Sequence, residues 1–586
     1  MSLLQAALAR IPVDLLLTNV RLANVLTGEI YPADIAVWNG RIAAVEPPGS
    51  LPARSAQRVI DGQGRIATPG LVDAHLHIES SLVTPAAFAE AVLPLGVTTV
   101  LEDPHEVANV LGADGIRAML AASDALPLKV EYLVSSSVPS AVGLETAGGS
   151  IEADDVTALL AHPRVRGLAE VMDGAGIMAE DPRLLAILAA AGGLEGYRPD
   201  SPGVIEGHNP MLRGRALSAW VAIGVDSDHT LATAADLVEK ARQGVTLMLQ
   251  ERYMTTEVIA ALESLPLDIG LCLITDDVAP DYLLEVGHLD HLLRLAVRLG
   301  MDPMRALRTV TLNPARRMRL WDRGAIAPGR AADIVLVDSL ADFQARLVLV
   351  DGQVVAEEGR CLWRAETPDP LASLRGTLRV RRQTPDDFRL PTPIHDGELE
   401  ARVMECVHQT VAVEGQGVVL ARAGIATLPE DSDLIWLAIV NRYDGLGGRA
   451  FGLVRGLGVQ CGAFASSHAH DSHNLAVFGK TAEDMALAAN TVIDMDGGIA
   501  VVRDGVVLAR LPLPIAGILS DRSVAATAED VRAVYAALND LGLFHPYWLM
   551  RISTFTLPVS SGLRITDRGL VLAKERRLVS LWRDQG

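Results

Sequence analysis

Two histidines one residue apart, His75 and His77, lie at the end of an apolar segment that begins at Pro69-Gly70. If this segment is a strand, side-chain alternation puts both imidazoles on one face, where they can bind a single metal ion. An H-x-H pair carries little information alone, and a structural role for both histidines stays open. The position at the end of a strand that follows a glycine turn favours metal binding.

Further polar residues of metal-binding type follow later apolar runs. In chain order they are Glu170, His208, His229 and Asp276. Any one of them could be a solvated rim residue or a helix cap. Together with the H-x-H pair they form a regular series, which favours a shared metal site. Imidazole and carboxylate ligands without thiolate suit Zn²⁺, Fe²⁺ or Mn²⁺, and the sequence does not separate these ions.

The carboxylate of Glu170 has two oxygens, which can span two cations. We therefore predict a binuclear site, in which two ions share a hydroxide and lower its pKa toward neutrality. A structural Glu170 in a buried ion pair is the alternative. Asp276, beside the metals, could accept the proton of the hydroxide and pass it to the leaving group. We prefer Asp276 to Asp277, because alternation should direct the Asp277 side chain elsewhere.

Residues 102–106, Glu-Asp-Pro-His-Glu, contain four ionisable side chains behind another apolar run. Like charges crowded near cations shift carboxyl pKa values into a range that is useful for proton transfer. The same residues fit a helix start, with Asp103 as N-cap, Pro104 at the first position and Glu106 at the third. Both interpretations can hold, because the cap would fix Glu106 at the edge of the site.

Residues 466–474, with the sequence SSHAHDSHN, form a second dense cluster. Its histidines and aspartate could bind metal or cover the site, and a polar surface turn is the alternative. We favour a lid, or a contribution to a neighbouring subunit, without assigning catalysis. The candidate lid or substrate-proximal residues are His105, His470, Asp471 and His473.

The elements that must position these residues alternate regularly after Pro69. Eight apolar runs, most of them ending in polar residues, alternate with Ala- and Leu-rich helical segments. This pattern predicts an α/β fold, a TIM-like (β/α)8 barrel. The polar residues that follow the strands then lie at the carboxyl-terminal mouth, where barrel enzymes keep their active sites.

Short strands broken by Gly and Asn precede and follow the barrel, and a turn is expected at Asn39-Gly40. The economical interpretation is that both segments pair in one small β-sandwich domain and that the barrel is inserted in it. The expected division is a β-domain of residues 1–67 and 325–365, a barrel of 68–324, a linker of 366–395 and a C-terminal α+β domain of 396–586.

The composition limits the classes of partner. Hydrophobic residues make up 49% of the 586 residues, enough for several cores, but no apolar run approaches a membrane span. The formal net charge of −21 repels phosphate backbones, so we expect no nucleic-acid partner. Four scattered cysteines show no C-x-x-C spacing and indicate inert thiols. We expect a soluble, cytoplasmic protein.

Three segments of this sequence resemble the adenine deaminase branch of the amidohydrolase superfamily. They are PGLVDAHLHIESS, EDPHEVANVLG and SSHAHDSHNL, and the resemblance covers nearly the whole chain. The superfamily pattern has H-x-H on strand one, a bridging carboxylate on strand four, histidines on strands five and six, and Asp on strand eight. It is matched in order by His75, His77, Glu170, His208, His229 and Asp276.

The resemblance implies hydrolytic deamination of a free purine base, adenine, to hypoxanthine and ammonia. It implies that a metal-bridging hydroxide attacks C6, with Asp276, Glu106 and Asp103 as catalytic residues. Glu106 would transfer a proton or contact the purine, and Asp103 would support it. We expect two Mn²⁺ or Fe²⁺ ions per chain, with Zn²⁺ as an alternative, and a homodimer, although no residue pattern fixes the oligomeric state.

The chain departs from the branch at two strand ends. Strand seven ends in Gln250-Glu251-Arg252 instead of an Arg-Glu-Gly pattern, and Thr230 replaces an acidic residue after the strand-six histidine. These positions leave the metal ligands intact but lie where a substrate would bind. The alternatives are a cyclic-amide or lactam hydrolase, a deaminase of another aminated ring, or a non-catalytic purine-binding paralogue.

Overall fold

The computed structural model describes residues 2–51, 56–194, 203–231, 233–266, 270–365, 370–408 and 411–583. A short helix, α1 (Leu3–Ala7), precedes the first strands. These strands are β1 (Val13–Asn24), β2 (Glu29–Trp38), β3 (Arg41–Glu46), β4 (Ala56–Asp61) and β5 (Ile66–Pro69). The β2–β3 turn lies at Asn39-Gly40, as predicted. Its φ angles of 49° and 73° are left-handed, a conformation that Asn and Gly adopt readily.

Eight parallel strands form the barrel that the sequence predicts. They are β6 (Leu71–Leu76), β7 (Val97–Glu102), β8 (Lys129–Ser135), β9 (Val165–Val171), β10 (Val204–Gly207), β11 (Ser227–Asp228), β12 (Thr246–Leu249) and β13 (Leu271–Leu273). Each strand pairs with its neighbours in sequence order. A parallel bridge between Leu76 and Asp276 joins the two ends of the sheet and completes the barrel.

Helices follow the strands and cover the outside of the barrel. They are α2 (Pro85–Val92), α3 (His105–Leu111), α4 (Ala113–Ala122), α5 (Ala153–Leu160), α6 (Gly174–Met178), α7 (Pro182–Ala190), α8 (Gly214–Ala222), α9 (Ala234–Arg242), α10 (Thr256–Glu263), α11 (Pro280–Glu285), α12 (Leu289–Arg298), α13 (Pro303–Thr309) and α14 (Leu312–Arg317). Apolar side chains such as Phe88 and Trp220 bury the interface between helices and strands. Inside the barrel, apolar residues that include Val72, Leu101 and Met318 pack together, which leaves polar side chains for the mouth.

Four strands follow the barrel and return to the N-terminal sheet. They are β14 (Ile334–Val337), β15 (Ala345–Val350), β16 (Gln353–Glu357) and β17 (Arg360–Cys361). Strand β14 pairs antiparallel with β5, so segments from both sides of the barrel share one nine-stranded sheet. The proposed division of the chain is a β-domain of residues 1–67 and 325–365, a barrel of 68–324, a linker of 366–395 and a C-terminal domain of 396–586.

The C-terminal region combines a mixed sheet with helices. It contains β18 (Gly397–His408), β19 (Val411–Arg422), β20 (Ile425–Thr427), β21 (Ile435–Val440), β22 (Arg449–Arg455), β23 (Ala463–Ser466), β24 (Leu475–Gly479), α15 (Ala482–Asp494), β25 (Gly498–Arg503), β26 (Val506–Pro512), α16 (Val524–Asp540), α17 (Trp548–Ser553), β27 (Leu563–Thr566), β28 (Gly569–Leu572) and β29 (Arg577–Val579). Strands β18–β26 form one sheet and β27–β29 a small second one. Residues 366–369 of the predicted linker lie outside the described residues. Within the described ranges, no helix has the length and apolar character needed to cross a membrane.

Candidate active site

The predicted metal-binding side chains meet at the carboxyl-terminal mouth of the barrel. His75 and Glu170 lie within β6 and β9, and the other four follow the ends of β6, β10, β11 and β13. All are buried except His208, which is about one-third exposed. Because parallel strands end at the same rim, residues more than 200 positions apart in the sequence become neighbours.

Four of these side chains surround one point. His75 Nε2 lies 3.0 Å from Glu170 Oε1 and 3.3 Å from Asp276 Oδ1, and His77 Nε2 lies 3.5 Å from each of these oxygens. Ligand atoms about 2.0–2.2 Å from a common ion are roughly 3–3.5 Å apart. The observed spacing therefore fits a metal ion.

The second oxygen of Glu170 faces a different pair of ligands. Glu170 Oε2 lies 2.7 Å from His208 Nδ1, and His229 Nε2 lies 2.9 Å from the same nitrogen. His229 Nε2 is also 3.4 Å from Glu170 Oε1. The Glu170 carboxylate thus lies between two groups of potential ligands.

Hydrogen bonds to the Nδ1 atoms of His75 and His77 determine which ring nitrogen of each histidine faces the cluster. His75 Nδ1 donates to Glu206 Oε2 at 2.6 Å, and His77 Nδ1 donates to the Asp103 carbonyl oxygen at 2.9 Å. With the proton on Nδ1, the lone pair of each Nε2 points into the cluster. The ligand atoms of the buried residues His75, Glu170, His229 and Asp276 all lie within 4.8 Å of one another, so this group can bind metal.

The carboxylates of the cluster are held in the ionised form. Burial raises the pKa of Glu170, but the nearby His208 and His229 outweigh it and hold the pKa well below its usual range. Burial likewise raises the pKa of Asp276, but the neighbouring His75 and His77 outweigh it and hold the pKa well below its usual range. Ionised oxygens are the form that binds cations.

Asp276, and not the adjacent Asp277, faces the cluster. Its backbone has a φ of 60°, the left-handed region that is uncommon for residues other than glycine. Asp277 instead accepts a hydrogen bond from Ser80 Oγ at 2.5 Å. The turn at Asp276 therefore separates the carboxylates of Asp276 and Asp277, and the carboxylate of Asp276 is directed at the histidines.

A second polar cluster joins the barrel to the C-terminal region. Glu106, in the first turn of α3, is fully buried. Its Oε1 lies 2.7 Å from His470 Nδ1 and 3.5 Å from His105 Nε2, and its Oε2 contacts His473 Nε2. Asp471 Oδ1 is 4.0 Å from His105 Nε2. The candidate lid residues therefore meet Glu106 within one chain.

His105 connects the two clusters. Its ring lies edge-on to the ring of His77, with centroids 4.5 Å apart, and its Nδ1 is 3.7 Å from Asp103 Oδ2. Glu106 and the metal-ligand candidates His75 and His77 thus lie along one continuous polar surface at the mouth of the barrel.

The predicted helix cap at Asp103 is wrong. Helix α3 begins at His105 and is preceded by Pro104, whose φ of −81° and ψ of 48° are not helical. The N-cap residue makes no side-chain hydrogen bond; Glu79 Oε1 accepts from the Val107 backbone N–H at 3.4 Å, and the Asp103 carboxylate accepts a hydrogen bond from the hydroxyl of Ser135. Because the helix begins two residues after Asp103 and the Asp103 carboxylate contacts strand β8, Glu79 and not Asp103 caps the first turn.

Two supporting residues were not predicted from the sequence. Glu206, which holds His75, is fully buried and contacts Arg317 Nη1, and Arg317 Nη2 donates to Asp226 Oδ1 at 3.1 Å. Alternation along β10 was an available signal, because it puts Glu206 on the same face as His208. The partner Arg317 lies in α14, and no local pattern links it to the site.

Two family models match this chain. Residues 66–191 and 212–355 match the amidohydrolase family, and residues 409–577 match the adenine deaminase C-terminal domain. An adenine deaminase of Moorella thermoacetica is 39% identical over 99% of this chain and 97% of that protein. One of Methylobacterium nodulans is 40% identical over 97% of each chain.

A third relative, adenine deaminase 2 of Carboxydothermus hydrogenoformans, is 38% identical, again over 97% of each chain. The similarity therefore includes the barrel, the inserted arrangement and the C-terminal region together. With this full-length identity, the chain belongs to the adenine deaminase family of the amidohydrolase superfamily.

Proposed function

We propose that this chain hydrolyses adenine to hypoxanthine and ammonia. The observation that carries the proposal is the buried cluster around Glu170, in a chain that is 38–40% identical to adenine deaminases over nearly its full length. The test supplies Mn²⁺, Fe²⁺ or Zn²⁺ in turn to purified protein and follows hypoxanthine. Turnover of another aminated ring or a cyclic amide, without any turnover of adenine, would contradict this substrate.

We propose two divalent ions per chain, Mn²⁺ or Fe²⁺, with Zn²⁺ as the alternative. His75, His77, Asp276 and one oxygen of Glu170 would hold the first, and His208, His229 and the other oxygen would hold the second. When bound, such ions act as Lewis acids that make water a nucleophile at neutral pH. The distances on the two sides of Glu170 support this assignment.

Asp276 is the proposed acid–base residue. Water adds at C6: one of its protons passes to ring N1 and the other to the amino nitrogen, the bond from C6 to that nitrogen breaks, and ammonia leaves a carbonyl at C6. Asp276 can accept the proton of the attacking water and return it to the departing amine. Its position beside His75 and His77 supports this role.

Glu106 and Asp103 complete the proposed catalytic set. Glu106 would move a proton to the purine or contact the ring, and Asp103 would support it through His105. The continuity from Glu106 through His105 to His77 supports their position beside a substrate. A homodimer and a cytoplasmic location remain further proposals, which size-exclusion chromatography and cell fractionation can test.

Glu206→Gln should weaken metal binding about 10- to 100-fold, the usual cost of losing a group that orients a histidine ligand. The amide cannot accept as strongly from His75 Nδ1, and it removes one of the two carboxylates that pair with Arg317. Metal titration of the stripped protein measures the effect. Glu131→Gln is a matched control, since Glu131 is also a buried barrel carboxylate paired with arginine. Equal affinities in the two variants would contradict the role of Glu206.

Arg252 favours a second candidate substrate, an aminated ring that carries an oxygen acceptor. Its Nη2 lies 3.5 Å from Asp276 Oδ2, and its guanidinium lies 5.1 Å from the ring centre of Tyr253. The adjacent Glu251 is engaged elsewhere, by Tyr282 Oη at 2.5 Å and His291 Nε2 at 3.0 Å. The half-exposed Arg252 side chain therefore directs its charge toward the site mouth.

Arg252→Met should lower kcat/KM for 2-oxoadenine about 10- to 100-fold relative to adenine, because a hydrogen bond to a charged group contributes about 1.5–3 kcal/mol. The measurement is the ratio of the two kcat/KM values in the wild type and the variant. Arg242→Met, an exposed position on the outer helix α9, should leave the ratio unchanged. The same ratio in Arg252→Met and wild type would exclude this specificity role.

A further inference from the structure

The carboxylate of Glu106 is enclosed by a loop that belongs to another part of the chain. This loop, residues 467–474, connects β23 and β24 of the C-terminal sheet. Its His470 and His473 contact the two different oxygens of Glu106. Burial raises the pKa of Glu106, and His470, His473 and His105 outweigh it, so the pKa lies well below its usual range.

The protonation state of His473 follows from its second nitrogen. The Ala469 backbone N–H donates to His473 Nδ1 at 3.2 Å, so this nitrogen carries a lone pair. The ring proton is then on Nε2, which faces Glu106 Oε2. His473 Nε2 is therefore placed to donate to the Glu106 carboxylate, a geometry that does not suit a metal ligand at the same nitrogen.

The loop holds its histidines through buried contacts on several sides. Arg442 Nη1 donates to the His473 carbonyl at 3.2 Å, and Thr556 Oγ1 donates to the His470 carbonyl at 2.6 Å. Asn474 Nδ2 donates to the carbonyl of Thr146, in the loop after β8 of the barrel, at 2.8 Å. Both imidazoles are thereby fixed relative to the barrel.

We infer that His473, together with His470, is a positioning residue that orients the Glu106 carboxylate toward the substrate. The inference rests on the proposed function, since it assigns Glu106 to the reaction. Unpartnered, a buried carboxylate would take up a proton or turn toward another donor. The C-terminal region would therefore complete the active site, although it contributes none of the proposed metal ligands.

The first test compares two substitutions of His473. His473→Leu removes the donor and should lower kcat for adenine about 10- to 100-fold while KM changes less than about threefold, as expected when a transition-state interaction is weakened. His473→Gln keeps an N–H donor and should recover most of that loss. Both variants should retain the metal content of the wild type, which metal analysis checks.

His468→Gln is the matched control. His468 lies in the same loop, is equally buried, and its ring centroid is 5.5 Å from that of His473. Among the described residues its ring nitrogens have no hydrogen-bond partner and, unlike those of His470 and His473, no carboxylate within ion-pair distance. Its kcat should stay within about twofold of the wild type, as expected for a residue without a polar contact to the reacting groups. A loss equal to that of His473→Leu would attribute the effect to loop packing and overturn the inference.

A double-mutant cycle decides whether His473 acts through Glu106. Glu106→Gln with His473→Leu should be no slower than Glu106→Gln alone, within about twofold, because the two residues act as one unit. Losses that multiply would overturn the inference. So would a third metal ion per wild-type chain that disappears in His470→Asn, because the histidine would then be a ligand.

The cycle also separates this inference from the proposed function. If the wild type deaminates another ring and not adenine, the proposed substrate fails, and the same cycle is run on that ring. If His473→Leu does not fold, His470→Leu takes its place in the cycle with the same expectation.

Discussion

Glu170→Gln is expected to carry fewer than two metal ions per chain and to lose roughly 10²-fold or more of its turnover, because the nucleophile depends on the metal site. The carboxylate is the only described group that lies within 3.5 Å of ligands on both sides of the cluster. Glutamine keeps the size of the side chain but has one oxygen. Its amide N–H₂ would face imidazole nitrogens that present lone pairs for a cation.

Metal content per chain and hypoxanthine formation are measured on the same preparations. The Glu131→Gln protein is again the control, since it loses a buried carboxylate at a distance from the cluster and should keep its ions. A fully active wild type with one ion per chain would contradict the binuclear site. An active Glu170→Gln protein with two ions would contradict the bridging role.

Asp276→Asn is expected to lower kcat about 10²- to 10⁴-fold, the usual contribution of a positioned acid–base group. Asparagine cannot take up the proton of water, although its oxygen can still approach His75 and His77. Activity is measured at saturating metal, so that a weakened metal ligand is distinguished from a lost proton acceptor.

Asp277→Asn is the control for Asp276. Its carboxylate accepts a hydrogen bond from Ser80 Oγ and forms no ion pair with a histidine among the described residues, so a change of less than about tenfold is expected. If saturating metal restored Asp276→Asn to wild-type rates, the residue would be a ligand without an acid–base role.

The barrel and the order of its metal-ligand candidates follow from local patterns. His75 and His77 share a face because of strand alternation, and the ends of parallel strands meet at one rim. These regularities depend on neighbouring residues only. The same holds for the turn at Asn39-Gly40, where two residues determine the backbone.

Other features depend on contacts that no local pattern contains. Glu206 reaches His75 across 131 positions, and its partner Arg317 lies a further 111 positions away. Asp103 fits a helix cap by sequence, but Ser135 from the next strand competes for its carboxylate. The position of residues 466–474 depends on how the C-terminal sheet meets the barrel, so the partner of His470 and His473 was not predictable.

The contact between Glu106 and the loop of residues 467–474 also sets an order for the synthesis of this protein. Asp276, the last of the proposed metal ligands, leaves the ribosome about 190 residues before His470. At about 5–20 residues per second, this interval is roughly 10–40 s. A nascent chain can therefore assemble its complete set of metal ligands while Glu106 still lacks both histidine partners. Full activity would then follow the folding of the C-terminal sheet, well after the metal ligands are available.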